Sequence, residues 1–409
     1  MINLFRSSGL VLLLLYATFN VLNIIYFHMS NVMVGYMLAA MAVMYFMQRI
    51  VTAGINGFTV YQSEVIGFGL IFLTFCTVVA QKIFYGTYIG FDGIDTLANI
   101  STILFISTLW FLIGGYASTY NTKESLPVAI VIVGALALAL GLGASDNLTV
   151  DYFEIMEESG VASVSHLVLE RHVILLLAFA YAMSSSSRFV VLLGGVLVLL
   201  LMGGRSALFI FVVTAILMNL RGKMVKNMLV MGVLGMVVFI GARFLVSEGI
   251  VDVQSSEVRE ILFLDGLNAD ASFNARIGLM QDGFVDLPDQ FLIGNFALTA
   301  ERQGHSGGYI HNLLSAWQFY GFFVFVAIVL SLVYCFRRMQ LCMKHRSSPI
   351  DVFGAFMLIY VIINVILAKN VAWNLLWFVL GLWLLKPPLK LHRPHTRNSR
   401  NRTRVRRQA

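Results

Sequence analysis

The chain has 409 residues, of which 59% are hydrophobic and only 12% charged, with a mean hydropathy of +0.83. Soluble domains carry about 25% charged residues, so this composition excludes a soluble globular protein and makes lipid the main solvent. The net charge is +7, but its sign is segregated along the chain.

The first stretch, "MINLFRSSGLVLLLLYATFNVLNIIYF", has Arg6 and then a long apolar run. It lacks a small-x-small cleavage site and is too long for a signal-peptide core, so it reads as an uncleaved first span. In chain order the candidate spans are 10–27, 32–48, 63–81, 97–116, 126–144, 167–184, 188–202, 205–220, 226–246, 309–335, 350–368 and 371–385. A span needs roughly 20 apolar residues, so the seventh and eighth are short and are expected to tilt or to meet as a partly buried hairpin. Backbone in lipid is satisfied only in helices or closed barrels. Runs of this length without alternation exclude the barrel, and the expected fold is an all-α polytopic bundle of about twelve helices. Residues 1–246 hold spans one to nine, 247–308 form a large loop, 309–385 hold the last three spans, and 386–409 are a basic tail.

Lys and Arg accumulate on cytoplasmic loops. With Arg6 inside, the inner loops hold Arg49, Lys123, Arg188, the Arg221–Lys223–Lys226 cluster and the Arg337–Arg338–Lys344–Arg346 cluster. The tail adds Lys386, Lys390, Arg393, Arg397, Arg400, Arg402, Arg404, Arg406 and Arg407 with no acid, and reads as a topology signal rather than a nucleic-acid arm. The outer loop 145–166 has Asp146, Asp151, Glu154, Glu157 and Glu158 and no Lys or Arg. The outer loop 247–308 carries ten acids against Arg259, Arg276 and Arg302. Both termini are therefore expected inside, and a few outer cations stand against the rule: Lys82, Arg171, Arg205, Arg243, Arg259, Arg276, Arg302 and Lys369.

Cys76, Cys335 and Cys342 form no disulfide framework, and no Cys/His metal spacing is present. Asp92 and Asp95 in "DGID" are cation ligands by type but read more simply as a solvated turn. No metal or other cofactor is expected.

Between spans seven and eight lies "GGRS", with Arg205. The large loop reads "NARIGLMQDGFVDLPDQFLIGNF", then "GHSGGYIHNLLSAWQFYGFFVF", where a Gly-rich stretch leads to His311 and Asn312. An outside Arg in a turn, a long outer loop with R-x-G, Pro and Gly-Asn, then His-Asn and then Tyr-Gly in the next span resembles the O-antigen polymerase and O-antigen ligase superfamily (Wzy and WaaL type). The resemblance covers residues 195–330 in motif and the whole chain in topology, and Gly204 stands where many members have Ser.

The resemblance implies a glycosyltransferase in the bacterial inner membrane, acting at the periplasmic face on a glycan carried by undecaprenyl diphosphate. It implies polymerisation of lipid-linked repeat units, with ligation of the finished glycan to lipid A-core as the alternative. A lipid-linked saccharide transporter is a further alternative, from a different functional class. The partners implied are lipid-linked donor and acceptor, the bilayer and a chain-length regulator protein, but not nucleic acid. Loss of a diphosphate calls for fixed positive charge, which Arg supplies as a fork that does not deprotonate. Attack by a hydroxyl calls for a base titrating near ambient pH. Arg205, Arg276 and His311 meet these needs and are the expected catalytic residues. Arg302, His305, Tyr309, Asn312 and Lys369 are the expected substrate contacts.

Overall fold

The computed structural model describes residues 2–27, 31–56, 60–86, 95–119, 123–142, 166–185, 187–202, 205–219, 271–288, 291–298, 310, 312–345 and 348–387. Among these the regular structure is helical, with no strand. In chain order the helices are α1 (Ile2–Leu22, continued by a π-helical turn Asn23–Phe27), α2 (Asn31–Asn56), α3 (Gln62–Tyr85), α4 (Thr96–Ala117) and α5 (Leu126–Leu142). They continue with α6 (His166–Met183), α7 (Arg188–Leu201), α8 (Arg205–Asn219) and α9 (Ala271–Asp286). The last are α10 (Ser315–Tyr320), α11 (Phe322–His345), α12 (Pro349–Leu367) and α13 (Asn374–Leu384). Among the described residues, six stretches are long and apolar enough to cross a membrane: Leu10–Phe27, Gly35–Gly54, Gln62–Tyr85, Thr96–Ala117, Phe322–Lys344 and Pro349–Leu367. Four shorter apolar helices, α5, α7, α8 and α13, pack among them. The protein is thus a helical membrane protein; the expected ninth span, 226–246, lies outside the described residues.

Local sequence sets several helix starts. Asp95 caps α4, its carboxylate accepting from Leu97 N at 2.8 Å and Ala98 N at 3.2 Å. This is work its side chain does here. Ser348 and Asp351 close a reciprocal capping box on α12, with Pro349 in the first turn.

The core gathers around α13, which is buried on all sides from Leu375 to Leu384. Its closest neighbour is α4. The two helices cross at glycines: a Cβ on Gly381 would lie 1.8 Å from the Phe111 carbonyl oxygen, and one on Gly114 2.0 Å from that of Phe378. Small residues permit such backbone approach where helices pack by contact rather than by water exclusion. Trp377 and Trp383 then anchor α13, their indole N–H groups donating to Val371 O at 2.8 Å and Gly354 O at 3.1 Å.

One expectation is corrected. The tenth span, expected over 309–335, is not one helix: α10 ends at Gly321 and α11 runs from Phe322 to His345. Gly321 has φ 83°, and a Cβ there would meet Leu292 O at 2.1 Å. Hydropathy is continuous across the break and so cannot reveal it. The twelfth, expected over 371–385, is the 11 residues of α13, its limits within a few residues of expectation. That is about 16 Å at 1.5 Å per residue, short of the roughly 30 Å hydrocarbon core, and the α12–α13 turn is recessed, with Lys369 and Val371 buried.

Candidate functional site at one end of the bundle

The ends of the bundle differ. At one, named here the basic end, Arg49 pairs with Glu64 at 3.0 Å, Lys386 pairs with Asp351, and Glu124 accepts from the Ser185 hydroxyl. Asn219 at the end of α8 donates to the Tyr181 hydroxyl near the end of α6 at 2.8 Å. The opposite end collects the last turn of α3, the first turn of α4, the start of α6 and the α12–α13 turn, together with α9, α10 and the segment 291–298.

Here two of the motifs singled out in the sequence meet, Gly294–Asn295 and Tyr320–Gly321. Gly294 and Gly321 both have positive φ, 68° and 83°. A Cβ on Gly294 would lie 2.6 Å from Gly321 N, so the Gly-Asn and Tyr-Gly motifs touch backbone to backbone. Only glycine allows both the conformation and the approach. Phe322 N donates to Phe291 O at 2.9 Å and Asn295 N to Gln318 O at 3.0 Å, which ties the two segments. On this junction Phe291 and Phe322 stack, and Trp317 meets both rings edge to face.

Helix α9 lies against the stretch leading into α10. Gly283 is so close to Ile310 that a Cβ would come within 2.2 Å of its side chain, and the Asn312 amide approaches the Met280 sulfur at 3.9 Å. Arg276 occupies the position one helical turn before Met280; its side chain lies outside the described residues, as does that of Arg205, the first residue of α8. Arg302, His305, Tyr309 and His311 also lie outside the described residues. Asn312 shapes the local backbone. Its Oδ1 accepts from Leu314 N at 2.9 Å and its carbonyl from the Ser315 hydroxyl at 2.6 Å. The side chain thereby turns the chain into α10.

Lys369, expected as a phosphate contact, is buried and paired within the bundle. Its ammonium donates to Glu170 Oε2 at 2.7 Å, while the Tyr360 hydroxyl donates to Glu170 Oε1 at 2.7 Å. The same ammonium lies 5.6 Å from the Trp373 ring centre, within cation–π range. Arg171 turns to its neighbour, with Nε 3.2 Å from His172 Nε2. His172 is buried between the rings of Tyr16 and Trp110, at 5.4 and 6.4 Å. A local pairing of Glu170 with Arg171 is the simplest reading of their adjacency in sequence; the carboxylate instead crosses to α12 and the turn beyond it.

Sequence reasoning missed Gln81. Its amide donates to Ile293 O at 2.8 Å and Phe319 O at 2.5 Å, and its Oε1 accepts from Phe296 N at 3.4 Å. One side chain of α3 thus satisfies backbone groups on both glycine-bearing segments. Gln318 does the same for Ile310 N, at 3.0 Å. The one signal for it is a Gln ending the apolar run "FLTFCTVVAQ". Below, Ser315 Oγ accepts from Val371 N at 2.8 Å, seating α10 on the recessed α12–α13 turn.

No protein family and no curated protein matches this chain. The functional reading therefore rests on the motifs and on how they are arranged. Chemically, this end has α9, which carries Arg276, and an approach to α10 held by glycines, Gln81 and Gln318. It offers a set of polar segments over a bundle floor in which Lys369 and Glu170 are paired.

Proposed function

We propose that this protein is a membrane glycosyltransferase that polymerises oligosaccharide repeat units carried on undecaprenyl diphosphate. The observation that carries the reading is the convergence of the resembling motifs. The R-x-G helix packs on the Ile310–Asn312 stretch, and the Gly-Asn and Tyr-Gly motifs meet although they stand well apart in the chain.

In this proposal the bundle crosses the bacterial inner membrane about twelve times, with both termini and the basic end in the cytoplasm and the site end in the periplasm. Arg205 and Arg276 hold the donor diphosphate and stabilise the charge it gains on leaving. His311 accepts the proton of the attacking acceptor hydroxyl. The hydroxyl oxygen bonds to the anomeric carbon as the carbon–phosphate oxygen bond breaks, inverting that centre, and no metal takes part. Lys369 serves the floor of the site, its charge engaged by Glu170, and Asn312 shapes the approach to α10.

Arg205→Ala, Arg276→Ala and His311→Ala are each expected to abolish chain extension while the protein stays folded in the membrane, as read by in vitro polymerisation of defined lipid-linked repeat units. Arg205→Lys is expected to be strongly impaired, because a point charge replaces a planar fork. Near-normal polymer length from all three alanine variants overturns the site. Surface polysaccharide from a deletion strain separates the alternatives: a polymerase leaves single repeats on the core, whereas a ligase leaves the core bare.

A further inference from the structure

A groove of about 530 Å³ runs along the bundle surface between α3 and α11. It lies in the half nearer the basic end, away from the candidate site. Its α3 wall is Ile66, Gly69, Leu70 and Leu73, and its α11 wall includes Ala327, Ser331, Tyr334 and Arg337. The α3 positions are spaced i, i+3, i+4, i+7, one helical face. Gly69 and Ala327 leave the room: nothing lies within 4 Å of where a Gly69 Cβ would stand.

Two adjacent arginines at the basic end have different fates. Arg338 is used by the fold, donating to Ser63 Oγ at 3.0 Å, to Trp383 O at 2.7 Å, to Pro387 O at 2.8 Å and to Lys386 O. It thus satisfies carbonyls at the end of α13. Arg337 is exposed, has no hydrogen bond or ion pair with any described residue, and closes the end of the groove. The apolar length of the groove faces lipid, where helix surfaces are filled by contact rather than by water exclusion. A chain of matching polarity fills it, and the guanidinium at its mouth selects the headgroup by charge.

We infer that the α3–α11 groove binds one anionic glycerophospholipid of the bilayer, its acyl chain along Gly69 and Ala327 and its phosphate on Arg337. The site is independent of the glycosyltransferase reading and stands or falls separately from it.

The test uses the full chain in nanodiscs of phosphatidylcholine and phosphatidylglycerol in equal parts, with the lipid retained after release measured by native mass spectrometry. Wild type is expected to keep one phosphatidylglycerol in preference to phosphatidylcholine, by about fivefold, the effect of one basic residue near a membrane surface. Arg337→Gln is expected to lose the preference and Arg337→Lys to keep part of it. Gly69→Leu, which fills the groove from an open position, is expected to lose the retained lipid altogether. Equal retention of the two lipids by wild type overturns the proposal. Undiminished retention in Gly69→Leu overturns the groove as the site, and an unchanged preference in Arg337→Gln overturns the headgroup contact.

Discussion

Glu170 and Lys369 are 199 positions apart and meet at 2.7 Å inside the bundle. Removing one member of a buried pair leaves the other charge without compensation, at about 3–5 kcal/mol. Glu170→Gln and Lys369→Met are each expected to lower thermal stability sharply in detergent. The double variant Glu170→Leu/Lys369→Met is expected to recover much of the loss, because no buried charge remains. A double variant less stable than both singles would show that the pair does not couple them. Gln81 is a neutral counterpart: Gln81→Leu leaves the Ile293 and Phe319 carbonyls without their donor. An unpaired buried group costs about 1–3 kcal/mol. The junction of the two glycine segments is expected to loosen first, seen as faster amide exchange at Asn295 and Phe322 than in the core of α4.

At the scale of the element, the crossing of α4 and α13 depends on glycines that hydropathy does not register. Gly114→Val and Gly381→Val place carbon against backbone carbonyls that cannot rotate away. Both are expected to reduce the yield of monodisperse protein several-fold by size-exclusion chromatography. Gly134→Ala, on a face of α5 with nothing within 4 Å, is the control. It is expected to be neutral or stabilising by up to about 1 kcal/mol, the propensity gap between glycine and alanine. Helix existence was legible from apolar run length for α3, α4, α6, α7, α8 and α12, whose limits fall within a few residues of expectation. The break at Gly321 was not. A left-handed glycine in an apolar run looks the same in hydropathy as an unbroken span.

For the whole molecule, the charge pattern predicts sidedness. Reporter fusions offer the check: a fluorescent protein after the tail is expected to glow, and alkaline phosphatase inserted in 145–166 or 247–270 to be active. The reverse result overturns the orientation and moves the candidate site to the cytoplasm.

The sequence by itself determined the solvent, the helical class and the asymmetry of charge, because each follows from local composition: apolar length, absence of alternation, and the placing of Lys and Arg. It also singled out Gly294–Asn295, Asn312 and Tyr320–Gly321 as parts of one pattern. Only the tertiary structure decided that the two glycine motifs touch, that Gln81 of a distant helix holds their segments, and that Lys369 is matched by Glu170. Those are contacts between segments far apart in the chain, set by which helices pack and how closely their backbones approach. A linear reading can name the polar residues of a membrane bundle. Their partners are chosen by packing, since in lipid each buried polar group must find another from within the fold.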